Sequence, residues 1–492
     1  MCYFYRMQQL QIPVAEPWAV LKILAMWPSI LIGTYVLIAL TIVVSILMHG
    51  AKPSKTLAWL LVIFTIPVGG ILLYILLGRN RRKQKLLKLE KPFSVITPKE
   101  DIAQPTSIPD AHLKLKKLVY NNCGFPVTLG NELFLLKNGK STFESVFNAL
   151  NSAQQRIHLQ YYIFEEGELA DRLLLLFTDK IAQGVQIRMI YDGVGSFSLS
   201  KKYLTRLLDI GVEVYPFLPF KFGRFLRALN YRNHRKIITV DGKIAFTGGI
   251  NVSDKYLKGD PELGNWNDMH LRLQGPVAKH LDHVFMTDWF LVSQKEILPL
   301  PIQVVPIYED GKQVQVVSGG PDDDFPTVKQ VYFTIINTAT EYLYITNPYI
   351  IPNAAMLQAL QTTALSGVDV RIMISEKTDG KIVGWCVRSY FETLLKSGIK
   401  IYLFPDGFLH SKIMVSDDTL VTIGTANLDD RSFDQNYEVN AIVYDGAFAK
   451  LLKDDFLLDS GISRVLTYEE HLKRPWADKL KEGFGKVFSP LL

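Results

Sequence analysis

Cysteine is nearly absent: the 492 residues hold three, Cys2, Cys123 and Cys386, far apart along the chain. That scatter gives no disulfide framework and no metal-ligand spacing, and it agrees with a reducing compartment. An arginine-rich tail of the kind that gathers nucleic acid is also missing. Net charge is a modest +6, which suits an anionic lipid surface or a phosphate-bearing substrate without singling out either. Formal charge is absent from two long runs, residues 23–48 and 57–77. Each is long enough to cross a bilayer, which takes about 20 apolar residues. The first exceeds the apolar region of a signal peptide and has no small-x-small cleavage site.

Several apolar and basic features fit a membrane protein. Mean hydropathy is +0.13 and 48% of residues are hydrophobic, high for a soluble enzyme. Arg79, Arg81, Arg82, Lys83, Lys85 and Lys88 follow the second run at once. By the positive-inside rule that end is cytoplasmic, and with two spans the N-terminus is too. The expected organisation is a transmembrane hairpin over 1–82, a proline-dotted linker over 83–125, and two globular halves over 126–310 and 311–492. A loop signal, Ser318-Gly-Gly-Pro-Asp-Asp-Asp, lies in the connector between the halves.

Both halves read as strands alternating with helices. In the first, Arg156–Phe164 is a strand, Glu168–Gln183 a helix and Val185–Tyr191 the next strand. In the second, Tyr342–Thr346, a helix after Pro352 and Gly367–Ile374 repeat the pattern. The matching segments Gly184-Val-Gln-Ile-Arg-Met and Gly367-Val-Asp-Val-Arg-Ile make the repeat domain-scale. The fold class is therefore α/β, two mixed sheets flanked by helices and joined around one site.

The chemistry sits in a repeated motif. His234-Arg-Lys236-Ile-Ile-Thr-Val-Asp241 and His410-Ser-Lys412-Ile-Met-Val-Ser-Asp417 both fit H-x-K-x-x-x-x-D, 410 − 234 = 176 residues apart. In a regular strand each His and Lys share a face, and each Asp points to the other. Asp241 and Asp417, though part of the catalytic motif, are thus read as supporting the fold from behind. Fourteen residues after each His stands a glycine, Gly248 or Gly424, and seventeen after it an asparagine, Asn251 or Asn427. An acid closes each unit, Asp268 and Glu438. Asp241-Gly242 signals a hairpin whose return strand brings Gly248 and Gly249 beside His234.

These residue types suit a phosphodiester. One neutral imidazole attacks phosphorus, and the other protonates the leaving alkoxide and then deprotonates the incoming hydroxyl. Two lysines and two asparagines surround the phosphoryl oxygens, and an acid behind each His sets its tautomer. The lysines neutralise the phosphate, so no metal or other cofactor is expected.

The paired motifs with their trailing Gly and Asn resemble the phospholipase D superfamily. Gly69-Gly70-Ile-Leu-Leu-Tyr-Ile-Leu-Leu-Gly-Arg, Gly407-Phe-Leu-His-Ser-Lys, Asn427-Leu-Asp-Asp-Arg-Ser-Phe and Ser489-Pro-Leu-Leu narrow the likeness to bacterial cardiolipin synthases of that type. The resemblance implies phosphatidyl transfer between two phosphatidylglycerol molecules through a phosphatidyl-histidine, at the bacterial inner membrane. It makes His234, Lys236, Asn251, His410, Lys412 and Asn427 the site, with Asp268 and Glu438 orienting the histidines. Arg431 and Ser432 match the family's segment and help hold the site. His234 is read as nucleophile and His410 as acid/base. Anionic lipid and the membrane are the expected partners, with no nucleic acid. A lipid hydrolase and a non-catalytic anionic-lipid scaffold are the competing readings. The aromatic and basic stretch Phe217–Leu229 is read as inserting at an anionic interface, and Trp476–Val487 as a further amphipathic helix.

Overall fold

A computed structural model describes residues 17–48, 53–74, 108–219, 231–298, 300 and 306–492. The chain divides into two units, 1–81 and 82–492.

In the first unit the charge-free run folds as one long helix, Pro17–Met48. Within it, Trp27–Ile46 has a mean hydropathy of 2.4 and is, among the described residues, the one helix long and apolar enough to cross a membrane. The second run does not form one continuous helix. It divides into Pro53–Thr65 and Pro67–Leu73. Pro67 is the cause: the residue before a proline is pushed out of the α region, and Ile66 adopts φ −125°, ψ 79°. The pieces fold back on the long helix. Ala39, Ile46, Ile63 and Tyr74 form a small core, and the Tyr35 hydroxyl donates to the Ile63 carbonyl at 3.1 Å.

The second unit is built on one mixed sheet. In the first half the seven strands lie in the spatial order Thr128–Lys137, Met269–Gln274, Ile244–Gly248, Ile237–Val240, Arg156–Tyr161, Gln186–Asp192, Glu213–Phe217. In the second the order is Lys312–Gly319, Asn436–Tyr444, Leu420–Gly424, Ile413–Ser416, Tyr342–Thr346, Asp369–Ser375, Lys400–Phe404. Numbered along the chain within each half, both orders read 1-7-6-5-2-3-4. Among these strands the inner pairings are antiparallel and the last two parallel in both halves, and Arg464–Leu466 adds an antiparallel edge strand to the second half. The halves meet where the two first strands pair antiparallel, Thr128 opposite Val314. Apolar residues from both sides, among them Leu271, Leu273, Val314, Val316, Val439 and Val443, fill a core across that junction. The two halves therefore share this junction core, while each keeps a core of its own on its other side.

One expectation changes, one falls largely outside the described residues, and one is met. Residues 110–123, assigned to the linker, form a helix whose Leu115 and Val119 are buried in the core of the second half. Of the stretch Phe217–Leu229, residues 220–230 lie outside the described residues. Phe217 itself is buried, its ring 5.0 Å from that of Tyr437. The helix Trp476–Val487 is present. Its buried face, Glu482 and Gly485, packs on the helix Lys381–Arg388, while Trp476, Leu480, Phe484 and Val487 are exposed.

The motif aspartates sit at the far end of their strands from the histidines. Asp241 accepts the backbone N–H groups of Gln154, Gln155 and Arg156 at 2.8–2.9 Å, and Asp417 those of Thr340, Glu341 and Tyr342 at 2.8–2.9 Å. Both turn with positive φ, 50° and 52°, which aspartate tolerates better than most residues. They tie each hairpin to the neighbouring strand and belong to the fold, not to the catalytic set. Replacing Asp417 by alanine should cost about 1–3 kcal/mol of stability, since three amides lose a charged acceptor. Denaturant unfolding of the solubilised protein checks this, and activity per folded molecule should be unchanged.

Candidate active site

His234 and Lys236 do not lie in a regular strand. Each His–Lys pair occupies the extended segment just before its strand, Ile237–Val240 or Ile413–Ser416. Two short parallel pairings hold these segments. Arg232–Asn233 pairs with Asn436–Tyr437, and Phe408–Leu409 pairs with Trp266–Asn267. Each ladder continues into the histidine: His234 N–H donates to the Tyr437 carbonyl at 2.9 Å, and His410 N–H to the Asn267 carbonyl at 2.7 Å. The next residue on the partner segment is an acid, Glu438 in one case and Asp268 in the other.

The acids are therefore exchanged between the halves. His234 Nδ1 lies 3.0 Å from Glu438 Oε2, and His410 Nδ1 lies 2.8 Å from Asp268 Oδ2. Each carboxylate orients the histidine of the other half, not the histidine of its own motif. Glu438 also accepts from Thr425 Oγ1 at 2.5 Å and from Asn436 Nδ2 at 3.2 Å. Asp268 accepts the Met269 amide at 2.8 Å. The glycines make room for this crossing. A Cβ on Gly249 would fall 2.1 Å from Asp268 Oδ1, and one on Gly248, at φ 152°, 2.7 Å from His270 Cα. The space they leave is beside Asp268 and His270, and so serves the opposite histidine.

With Nδ1 bound to a carboxylate, each ring keeps Nε2 for a common cavity of about 570 Å³. Its wall includes His234, His410, Asn251, Asn427, Arg431 and Ser432. Lys236 and Lys412 are buried behind the histidines. Lys236 Nζ donates to the His234 carbonyl at 2.7 Å. Lys412 Nζ donates to the His410 carbonyl and lies 3.0 Å from His410 Nδ1. Asn251 Oδ1 accepts the Ile163 amide at 3.1 Å, whereas Asn427 Oδ1 is buried without a hydrogen-bond partner.

Burial governs the charge state. It draws both imidazoles down to about 4, helped by Lys236 and Lys412 and opposed by the paired carboxylates. Both rings are neutral near pH 7. Burial also lowers Lys236 to about 7 and Lys412 to about 8, against the pull of Glu438 and Asp268. Glu438 is pushed up by burial but ends below its ordinary value, because His234 and Lys236 favour its charged form. The cavity wall also carries Asp429, which burial raises to about 7.

Sequence reasoning missed the aromatic frame. The rings of Tyr162 and His234 are 4.8 Å apart, Tyr349 and His410 6.5 Å, and Trp266 and His410 5.8 Å. Tyr162 and Tyr349 each follow the second strand of their half, so superposing the two repeats would have exposed them. The segment 258–264 supplies Asp260, Glu262 and Leu263 to the cavity wall.

Residues 146–289 and 332–459 match the family described as cardiolipin synthase, PLD-like domain. Residues 36–79 match the phospholipase D-nuclease N-terminal family. A cardiolipin synthase of Geobacillus sp. (strain WCH70) is 39% identical over 453 residues, 90% of each chain. One from Geobacillus kaustophilus is 38% identical over 485 residues, covering 96% of this chain and 95% of that one. Cardiolipin synthase 2 of Staphylococcus epidermidis is 36% identical over 477 residues, 94% of this chain and 98% of the other. Among solved structures, the phosphatidylserine synthase of Haemophilus influenzae shares the fold at TM-score 0.56 and 15% identity, over 77% of this chain and all of that one. With both of its motifs inside the matched segments, the chain belongs to the PLD-like cardiolipin synthase family.

Proposed function

We propose that this protein moves a phosphatidyl group from one phosphatidylglycerol to the glycerol hydroxyl of a second, giving cardiolipin and glycerol. One observation carries the reading: two neutral imidazoles, each held by Nδ1 on a buried carboxylate, share one cavity, with a buried lysine hydrogen-bonded to the backbone carbonyl of each. A single phosphodiester between them meets a nucleophile and an acid/base at once, while the ammonium groups offset the charge on its oxygens.

The steps follow from that arrangement. Nε2 of His234 attacks phosphorus, and the bond to the leaving glycerol oxygen breaks as His410 gives that oxygen a proton. The anionic phosphodiester beside His410 raises its proton affinity above that in the empty cavity. The now neutral His410 takes the proton from the acceptor hydroxyl, whose oxygen attacks phosphorus and breaks the P–N bond. His234 is regenerated, and His410 again holds a proton. Proton transfer of this kind contributes about 10²–10⁴-fold. Glu438 and Asp268 keep each ring in the tautomer the steps need. Asn251, Asn427, Arg431 and Ser432 line the space around the phosphoryl oxygens.

The family matches and the apolar helix Trp27–Ile46 support work at a membrane. The exposed stripe Trp476, Leu480, Phe484 and Val487, flanked by Lys479 and Lys481, fits a lipid surface. The expected orientation is an inner-membrane protein anchored by two spans with its globular halves in the cytoplasm, as the basic cluster after residue 78 favours.

Incubating the protein with phosphatidylglycerol vesicles should yield cardiolipin and glycerol in equal amounts. A denaturing detergent quench at mildly alkaline pH, where the P–N bond survives, should trap the lipid phosphate on His234, and His234→Ala should abolish the adduct. Phosphatidate as the sole product would make the protein a hydrolase, and an adduct on His410 would exchange the two roles. The rate should also follow pH as a bell. It should fall below about pH 5 as the nucleophilic imidazole protonates from its value of about 4. It should fall again from about pH 7 upward as Lys236 and then Lys412, at about 7 and about 8, lose their charge. Initial rates measured in vesicles of constant composition check this, and a rate still climbing at pH 9 would contradict it.

A further inference from the structure

Two residues before His234, Arg232 is 1% exposed yet lines the same cavity. Its Nη1 pairs with Asp192 Oδ1 at 3.1 Å, while Nε and Nη2 have no hydrogen-bond partner. Unpartnered N–H groups on a buried guanidinium are costly. They are also the two that together form the side-on fork matching a phosphate or carboxylate in a bidentate pair. Asp192 does not depend on Arg232 alone. It accepts the Val194 and Gly195 amides at 2.9 Å and the Asn233 amide at 2.9 Å. The arginine is thus anchored through one nitrogen, with its fork left for something in the cavity.

What enters must be an anion, and phosphatidyl transfer brings two. The donor phosphate is accounted for by the histidines with Lys236 and Lys412. The acceptor lipid carries a second phosphate, which the motif residues do not serve. We infer that Arg232 seats the phosphate of the acceptor lipid. This rests on the transfer reading and adds to it a selectivity: anionic phosphoglycerol acceptors bind in preference to neutral alcohols. Arg431, the other guanidinium on the cavity wall, faces the same space from the opposite half. It lies in the helix Asp430–Asp434, and its Nη1 donates to the Leu491 carbonyl at 3.3 Å.

The test compares two acceptors on one donor, using the full chain in detergent–phosphatidylglycerol micelles. Cardiolipin formation reports the anionic acceptor. Exchange of radiolabelled glycerol into phosphatidylglycerol reports the same covalent step with a neutral acceptor. In Arg232→Gln, cardiolipin formation should fall at least about 10-fold, the loss of one charged hydrogen-bonded pair, while glycerol exchange stays within about 2-fold. Arg232→Lys keeps the charge without the fork and should lie between, and it carries the comparison if the glutamine variant does not fold. An equal fall in both reactions would overturn the inference, because Arg232 would then serve the donor or the fold. Unchanged cardiolipin formation would overturn it as well. Wild-type protein that exchanges glycerol but makes no cardiolipin would instead overturn the transfer reading on which the inference stands.

Discussion

Two hydrogen bonds crossed between the halves hold the site together: Glu438 to His234 and Asp268 to His410. Each forms because the segment before a histidine pairs in parallel with the segment before the opposite acid. Register does the rest, since the residue after each short ladder falls beside its counterpart. Neither half can orient its own histidine, so neither is a catalyst alone. The continuous sheet and the shared core at Val314, Leu273 and Val443 fix the distance across which the acids must reach. The fold's two-fold repeat is therefore what brings each acid to the opposite histidine.

Burial then sets the reactivity. Burial at the cavity floor leaves the imidazoles neutral and brings the lysines into the range where they titrate near neutrality. Such perturbed groups gathered on one cavity are the usual mark of a working site. An arriving phosphodiester reverses part of the effect. Its negative charge favours the ammonium forms of Lys236 and Lys412 and the protonated form of one imidazole. The empty cavity is thus poised toward the charge of its ligand.

Much of this was legible in the chain. The duplicated H-x-K-x-x-x-x-D with its trailing glycine and asparagine marked the pocket, because catalytic residues recur where chemistry needs them twice. The alternation of strands and helices marked the mixed sheets, since each period reflects which face is buried. The exchange of Glu438 and Asp268 was not legible: sequence spacing measures distance along the chain, and these acids act across it. Arg232 was equally hidden, for its meaning lies in a salt bridge to Asp192 forty residues away. The second apolar run read as an unbroken span because hydropathy does not register the backbone restriction that Pro67 imposes on Ile66. Asp241 and Asp417 sat within a catalytic motif yet proved to hold turns, since a motif records co-occurrence and only geometry separates the roles.

The central claim is that both imidazoles address one phosphorus. An experimental structure of the protein with orthovanadate, which adopts the five-coordinate geometry of a phosphoryl group in transfer, tests it most directly. A single vanadium in the cavity, bonded to His234 Nε2 and with His410 Nε2 on its opposite apical oxygen, is the expected result; Glu438 and Asp268 should remain on the two Nδ1 atoms. Vanadium bound at one histidine while the other faces a separate pocket would contradict the account.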